Sequence, residues 1–138
     1  MPLYMLDTNA VSEVMRGNPV MDQRLKRLEP SDWCISAITH AEIAFGLAKR
    51  PEATRLARAA AAFFEVARTL PWDTAAAEAH GKLRARLQQA GTPIGDFDEM
   101  IAAHALSVGA VLVTANVRHF ERVEGLQVEN WARGVPHG

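Results

Sequence analysis

Leu3-Tyr4-Met5-Leu6 runs without interruption into Asp7-Thr8-Asn9. A continuous apolar run of this kind fits a strand buried on both faces, the pattern of a parallel sheet covered by helices. Asp7 then falls at the carboxyl end of that strand, where open α/β sheets gather their ligands. Asp7 reads equally well as the N-cap of a first helix through Ala10-Val11-Ser12-Glu13-Val14-Met15, since a short carboxylate can accept from the first free N–H groups. Whether it caps or binds depends on whether other acids reach the same place.

The rest of the chain alternates between the two periods. Gly17-Asn18-Pro19 breaks the first helix, and Val20, Met21, Leu25 and Leu28 space like one helical face. Trp33-Cys34-Ile35 predicts a second strand. Ser36 to Arg50 predicts a helix with Ile38, Ala41, Phe45 and Ala48 along its apolar stripe. Glu52 to Ala67 is Ala-rich and helical, and Thr69 to Trp72 is a short extended segment. Asp73 caps a helix to Ala90 whose inner side carries Ala76, His80, Leu83 and Leu87. After the loop Gly91-Thr92-Pro93-Ile94-Gly95, another helix runs from Asp96 to Gly109. Ala110-Val111-Leu112-Val113-Thr114 reads as a buried strand, Asn116 as the cap of a short turn, and Leu126-Gln127-Val128 as a last strand. Strands joined by helices imply one α/β domain over 1–138, with a mostly parallel central sheet flanked by helices.

Two further acids stand out against this pattern. Glu42 lies on the stripe between Ile38 and Phe45, where an unpaired charge would be costly. A capping box, Thr39-x-x-Glu42, is the bland alternative, but it would start the helix late and leave Ile38 outside the pattern, and Ser36 is an equally good cap. Asp98 shares a face with Ile101, Ala102 and Ala105. Asp96 as N-cap with Glu99 three residues on explains those two acids, but leaves Asp98 pointing inward from a helix N-terminus. Three carboxylates brought together repel unless a cation neutralises them. Oxygen donors without Cys/His spacing suit Mg²⁺, or Mn²⁺, rather than Zn²⁺. Mg²⁺ on carboxylates is the usual apparatus of phosphodiester hydrolysis. The residues alone therefore give an acidic Mg²⁺ site in an α/β fold.

Charge and cysteine content narrow the alternatives. Fifteen Lys+Arg against sixteen Asp+Glu leave a net charge of −1. An RNA substrate would meet local basic positions such as Arg16, Arg84, Arg86, Arg118 and Arg122 rather than a long-range field. Cys34 is the single cysteine, so no intrachain disulfide can form, and its neighbours make it a buried strand thiol. No signal peptide or membrane-length apolar run is visible, and a soluble cytoplasmic protein is expected. His40 and His104 read as structural or solvent-facing, and Trp33, Trp72 and Trp131 as core or interface.

At the same residues the sequence resembles PIN-domain ribonucleases, and in particular the VapC toxins of bacterial toxin–antitoxin pairs. The resemblance rests on Met5-Leu6-Asp7-Thr8-Asn9, on Ile35 to Glu42, on Pro93 to Ala105 and on Leu112-Val113-Thr114-Ala115-Asn116, with the tail Phe120 to Trp131. It implies a PIN-like three-layer sandwich and a metal-dependent endoribonuclease that inhibits translation by cutting a structured RNA such as tRNA or rRNA. A VapB-type antitoxin would hold it inactive, in a hetero-oligomer built on a toxin homodimer. The metal-binding acids of the family carry over onto Asp7, Glu42 and Asp98. A fourth acidic position falls on Asn116, a neutral and weaker ligand that would hold a metal-bound water or the substrate, and Asp96, first of all a cap, could make up part of the lost charge. Thr8, Asn9 and Thr114 become donors that orient the carboxylates. In-line attack by water would leave a 5′-phosphate and a 3′-hydroxyl.

Two rivals remain on the sequence. A Mg²⁺-dependent phosphatase would also place an acid after the first strand. However, the aspartate that such enzymes carry two residues on is Asn9 here, and Lys82 is the last lysine of the chain. A catalytically weak PIN-like binding module would keep the acids and tolerate Asn116.

Overall fold

The computed structural model describes residues 2–132. Five parallel strands form one sheet: β1 (Tyr4–Leu6), β2 (Trp33–Ser36), β3 (Thr69–Leu70), β4 (Val111–Val113) and β5 (Val128–Glu129), in the order β3-β2-β1-β4-β5. Seven α-helices connect them: α1 (Thr8–Met15), α2 (Pro19–Lys26), α3 (Ala37–Lys49), α4 (Thr54–Val66), α5 (Thr74–Ala90), α6 (Asp96–Val108) and α7 (Val117–Phe120). The expected α/β architecture is the one observed.

The apolar first run becomes the central strand. Its residues alternate between two cores, as a pleated strand requires. Met5 aligns with Cys34 and Leu112 and packs on one side against Leu83, Leu87 and Ile101 of α5 and α6. Leu6 aligns with Ile35 and Val113 and packs on the other side against Val11, Met21, Ile43 and Phe63 of α1 to α4. Three layers result. Trp33 and Trp131 lie in the second core, as expected. Cys34 is fully buried, and burial pushes its thiol up to about 11, which keeps it an unreactive core group.

The strand order reverses direction at β1, which pairs with β2 on one side and β4 on the other. Asp7, Ser36 and Thr114 therefore leave three neighbouring strands at the same edge of the sheet. A crevice at such a reversal is where α/β sheets bind ligands.

The helix limits expected from the sequence hold to within a few residues, but two phases differ. On α3 the buried face is Thr39 and Ile43, while Phe45 is 65% exposed and Ala41 and Ala48 face solvent. The stripe through Ile38, Ala41, Phe45 and Ala48 is thus not the inner face. At α6, Gly95 rather than Asp96 is the N-cap residue, with φ +102°, and Glu99 rather than Asp98 is the fully buried acid. Asp96 is the first helical residue instead, exposed and 3.3 Å from Arg84.

Candidate active site

Asp7 fills the capping role that its sequence position allowed. One carboxylate oxygen accepts from the N–H of Ala10 at 2.8 Å and so caps α1. Its own N–H extends the β1–β4 ladder to the Val113 carbonyl at 3.0 Å. The side chain is 2% exposed. Burial pushes the carboxyl up to about 6; the Thr114 hydroxyl and the Ala10 N–H pull it back, and the charges of Asp98 and Glu42 push it further up. The charges of Asp98 and Glu42 thus both reach Asp7.

Glu42 is half-buried on α3, and the α1 hydroxyl of Thr8 donates to its Oε1. The Thr8 hydroxyl also lies 3.4 Å from that of Thr39, so a small hydroxyl cluster joins α1 to α3. Ser36 accepts from the N–H of Ile38 at 3.1 Å and caps α3, which removes the capping-box explanation of Glu42. The Ser36 hydroxyl is also 2.7 Å from Nδ1 of buried His104. His104 is thus a structural histidine between α6 and the start of α3, and burial holds its pKa below the usual value, with Asp73 opposing.

Asp98 is half-buried in the first turn of α6, with its side chain 39% exposed. Burial pushes its carboxyl above the ordinary range, and His119 beside it pulls it back. His119 Nε2 stands 3.2 Å from Oδ2 of Asp98. Nothing in the sequence marks His119, because a histidine in a short turn carries no periodic signal. Thr114 is buried at the end of β4, and its hydroxyl accepts from the N–H of Asn116 at 3.0 Å. Asn116 is exposed at the start of α7, where its side chain makes no capping hydrogen bond. Asn9 is exposed on α1, and Asp96 is turned to Arg84 rather than to the other acids.

Asp7 follows β1, Glu42 lies in the middle of α3 and Asp98 in the first turn of α6, and the charges of the last two both reach Asp7. Among the described residues, no three acids, histidines or cysteines stand close enough to form a ready-made metal cage. The donor chemistry nevertheless fits a hard divalent cation. All three groups are oxygen donors, and a cation between them would offset their repulsion and favour the ionised form of Asp7, which burial above all holds at about 6.

Comparison with known proteins places this chain in a family. The PIN domain model matches residues 4–126. The tRNA(fMet)-specific endonuclease VapC of Salmonella typhimurium is 39% identical over 128 residues, covering 93% of this chain and 97% of that protein. Ribonuclease VapC1 of Haemophilus influenzae strain R2866 is 35% identical over 133 residues, covering 95% and 99%. Among solved structures, DNA-bound VapBC from Salmonella typhimurium superposes with a TM-score of 0.88 at 39% identity, covering 95% of this chain and 99% of that one. VapBC2 from Rickettsia felis, bound to a promoter DNA fragment, gives 0.86 at 30% identity, covering 94% and 98%. The chain belongs to the PIN-domain family, in its VapC group.

Proposed function

We propose that this chain is the ribonuclease toxin of a VapBC toxin–antitoxin pair, and that it cleaves RNA hydrolytically at a Mg²⁺-dependent centre formed by Asp7, Glu42 and Asp98. The observation that carries the reading is Asp7. It is a buried carboxylate at the end of the central strand, raised to about 6 in part by the other two acids. A site of that composition has little use in packing, since replacing one acid by a neutral side chain would remove the repulsion.

The chain's own residues supply position. Asp7 is fixed by the Ala10 N–H, Glu42 by the Thr8 hydroxyl, and Asp98 by His119. These bonds hold the carboxylates without the freedom of exposed side chains, which favours in-line geometry over solvent reorganisation. Bound Mg²⁺, or Mn²⁺, would supply charge neutralisation at the attacked phosphate and a more acidic water. Thr114 stays beside Asp7 as a hydroxyl donor.

The names of the relatives make the initiator tRNA the first substrate to test. The partner in this reading is a VapB-type antitoxin, with the toxin working in the cytoplasm as part of a homodimer and its hetero-oligomer. Among the described residues no helix is long and apolar enough to cross a membrane. A groove of about 540 Å³ bordered by Val14, Leu25, Leu28, Phe63 and Val66 offers an apolar seat between α1, α2 and α4. A phosphatase gains no support, since Asn9 is exposed and neutral two residues after Asp7. The binding-module reading draws on the absence of a ready-made cage among the described residues and on exposed Asn116.

Brief expression in a bacterial host, followed by mapping of new 5′ ends in total RNA, separates these readings. One dominant cut site and arrested growth are expected, both lost in Asp7→Ala and Asp98→Ala at equal protein level. Growth arrest that survives both substitutions would remove the acidic centre from the activity.

A further inference from the structure

His119 makes contacts that its place in a four-residue helix does not require. Its Nε2 lies 2.6 Å from the carbonyl oxygen of Ile94 and 3.2 Å from Oδ2 of Asp98. A carbonyl only accepts, so Nε2 carries a hydrogen that Ile94 accepts, and the Asp98 carboxylate oxygen lies within ion-pair distance of the same nitrogen. Ile94 is buried, and its N–H is met from the other side by Oε2 of Glu99 at 3.4 Å. Arg122, three residues after His119, donates to the carbonyl of Pro93 at 3.3 Å. The region around α7 therefore holds two successive carbonyls just ahead of Gly95, and the turn at Gly95 sets the direction in which α6 begins.

We propose that His119 is a positioning residue for Asp98: one ring nitrogen ties a carboxylate oxygen of Asp98 to the backbone of Ile94, fixing the carboxylate's rotation and leaving its other oxygen for the acidic centre. The proposal rests on the reading of Asp98 as a member of that centre. It differs from a purely structural staple in what it controls. A staple of the 93–95 segment would affect stability alone. A positioning contact also affects how well Asp98 serves a cation and the reacting phosphate. Groups that orient metal-binding carboxylates typically change affinity or turnover by about 10–100-fold when removed.

The test compares His119→Ala, His119→Gln and His119→Asn with Asp98→Asn in the full chain. The readouts are melting temperature, Mn²⁺ binding by electron paramagnetic resonance, and kcat and KM on an initiator tRNA transcript. The Gln amide nitrogen can occupy the place of Nε2, whereas the shorter Asn amide corresponds to Nδ1. His119→Ala is expected to weaken Mn²⁺ binding and to lower kcat by about tenfold or more, with KM within about twofold. His119→Gln is expected to restore most of both, and His119→Asn neither. A folded His119→Ala with unchanged Mn²⁺ affinity and kcat overturns the proposal, as does a Gln variant no better than Asn. If His119→Ala does not fold, the Gln–Asn comparison alone decides. Loss of activity in Asp98→Asn with none in His119→Ala refutes the positioning role only; full activity in Asp98→Asn refutes the centre as well.

Discussion

Asp7 carries two demands that pull in opposite directions. Capping α1 needs an acceptor at the end of β1, while burial disfavours the charge that a carboxylate brings there. The rise from 3.8 to about 6 means that the folded chain holds this proton more tightly than the unfolded one. Stability from this group is therefore full below pH about 4 and is lost as pH rises through about 6; the cost above that is on the order of 3 kcal/mol. Asn caps nearly as well as Asp and brings no charge. Asp7→Asn is thus expected to raise stability at pH 7.5 by about 1–3 kcal/mol in EDTA, with the gain vanishing near pH 4, and to abolish cleavage. Denaturant unfolding across pH checks the first part. A variant less stable than the parent at both pH values would show that the Asp7 charge is compensated by something other than a bound cation.

At the scale of elements, the site depends on where α6 starts. Gly95 has φ +102°, a conformation that side chains resist, and no atom stands within 4 Å of where a Cβ would be. Gly95→Ala therefore suffers from the backbone alone, by about 1–3 kcal/mol. Relief of that strain by moving the turn would shift Asp98 away from His119. A drop in melting temperature and a fall in kcat larger than the loss of folded protein are expected; a drop in melting temperature with kcat intact would show that Asp98 is placed independently of the turn. This turn also marks where the sequence stops being legible. The Asp96–Glu99 spacing is a good capping signature, but a glycine just before it took the cap position, and the frame moved by one residue. Glu99 then became the buried acid and Asp98 a half-buried one. On α3, small alanines on both faces leave the phase to Phe45, which points outward, so the stripe that carries Glu42 in the sequence is not the buried face. The strands were legible because double burial forces unbroken apolar runs. His119 was not, because its role comes from a contact across the fold.

At the scale of the whole molecule, the sheet order makes one end of the domain different from the other. β1 sits between β2 and β4, so residues that follow all three strands gather at one edge, and α3 and α6 enter it from opposite layers. Each acid is held by a separate element, and a cation shared by them would tie those elements together. Mg²⁺ is expected to raise the melting temperature by several degrees, since a ligand that binds only the folded state stabilises it by about 2.7 kcal/mol at a hundred times its Kd. The effect should weaken as pH falls through about 6, where a proton on Asp7 competes. Equal melting curves with Mg²⁺ and with EDTA at pH 7.5 would contradict the shared site. The most direct measurement is cleavage itself. Purified chain, freed of antitoxin, is incubated with initiator tRNA in Mg²⁺ or in EDTA, alongside Asp98→Asn. Cutting at one site, leaving a 5′-phosphate, is expected only for the parent chain in Mg²⁺. Equal cutting in EDTA, or by folded Asp98→Asn, would contradict a metal-dependent centre built on these acids.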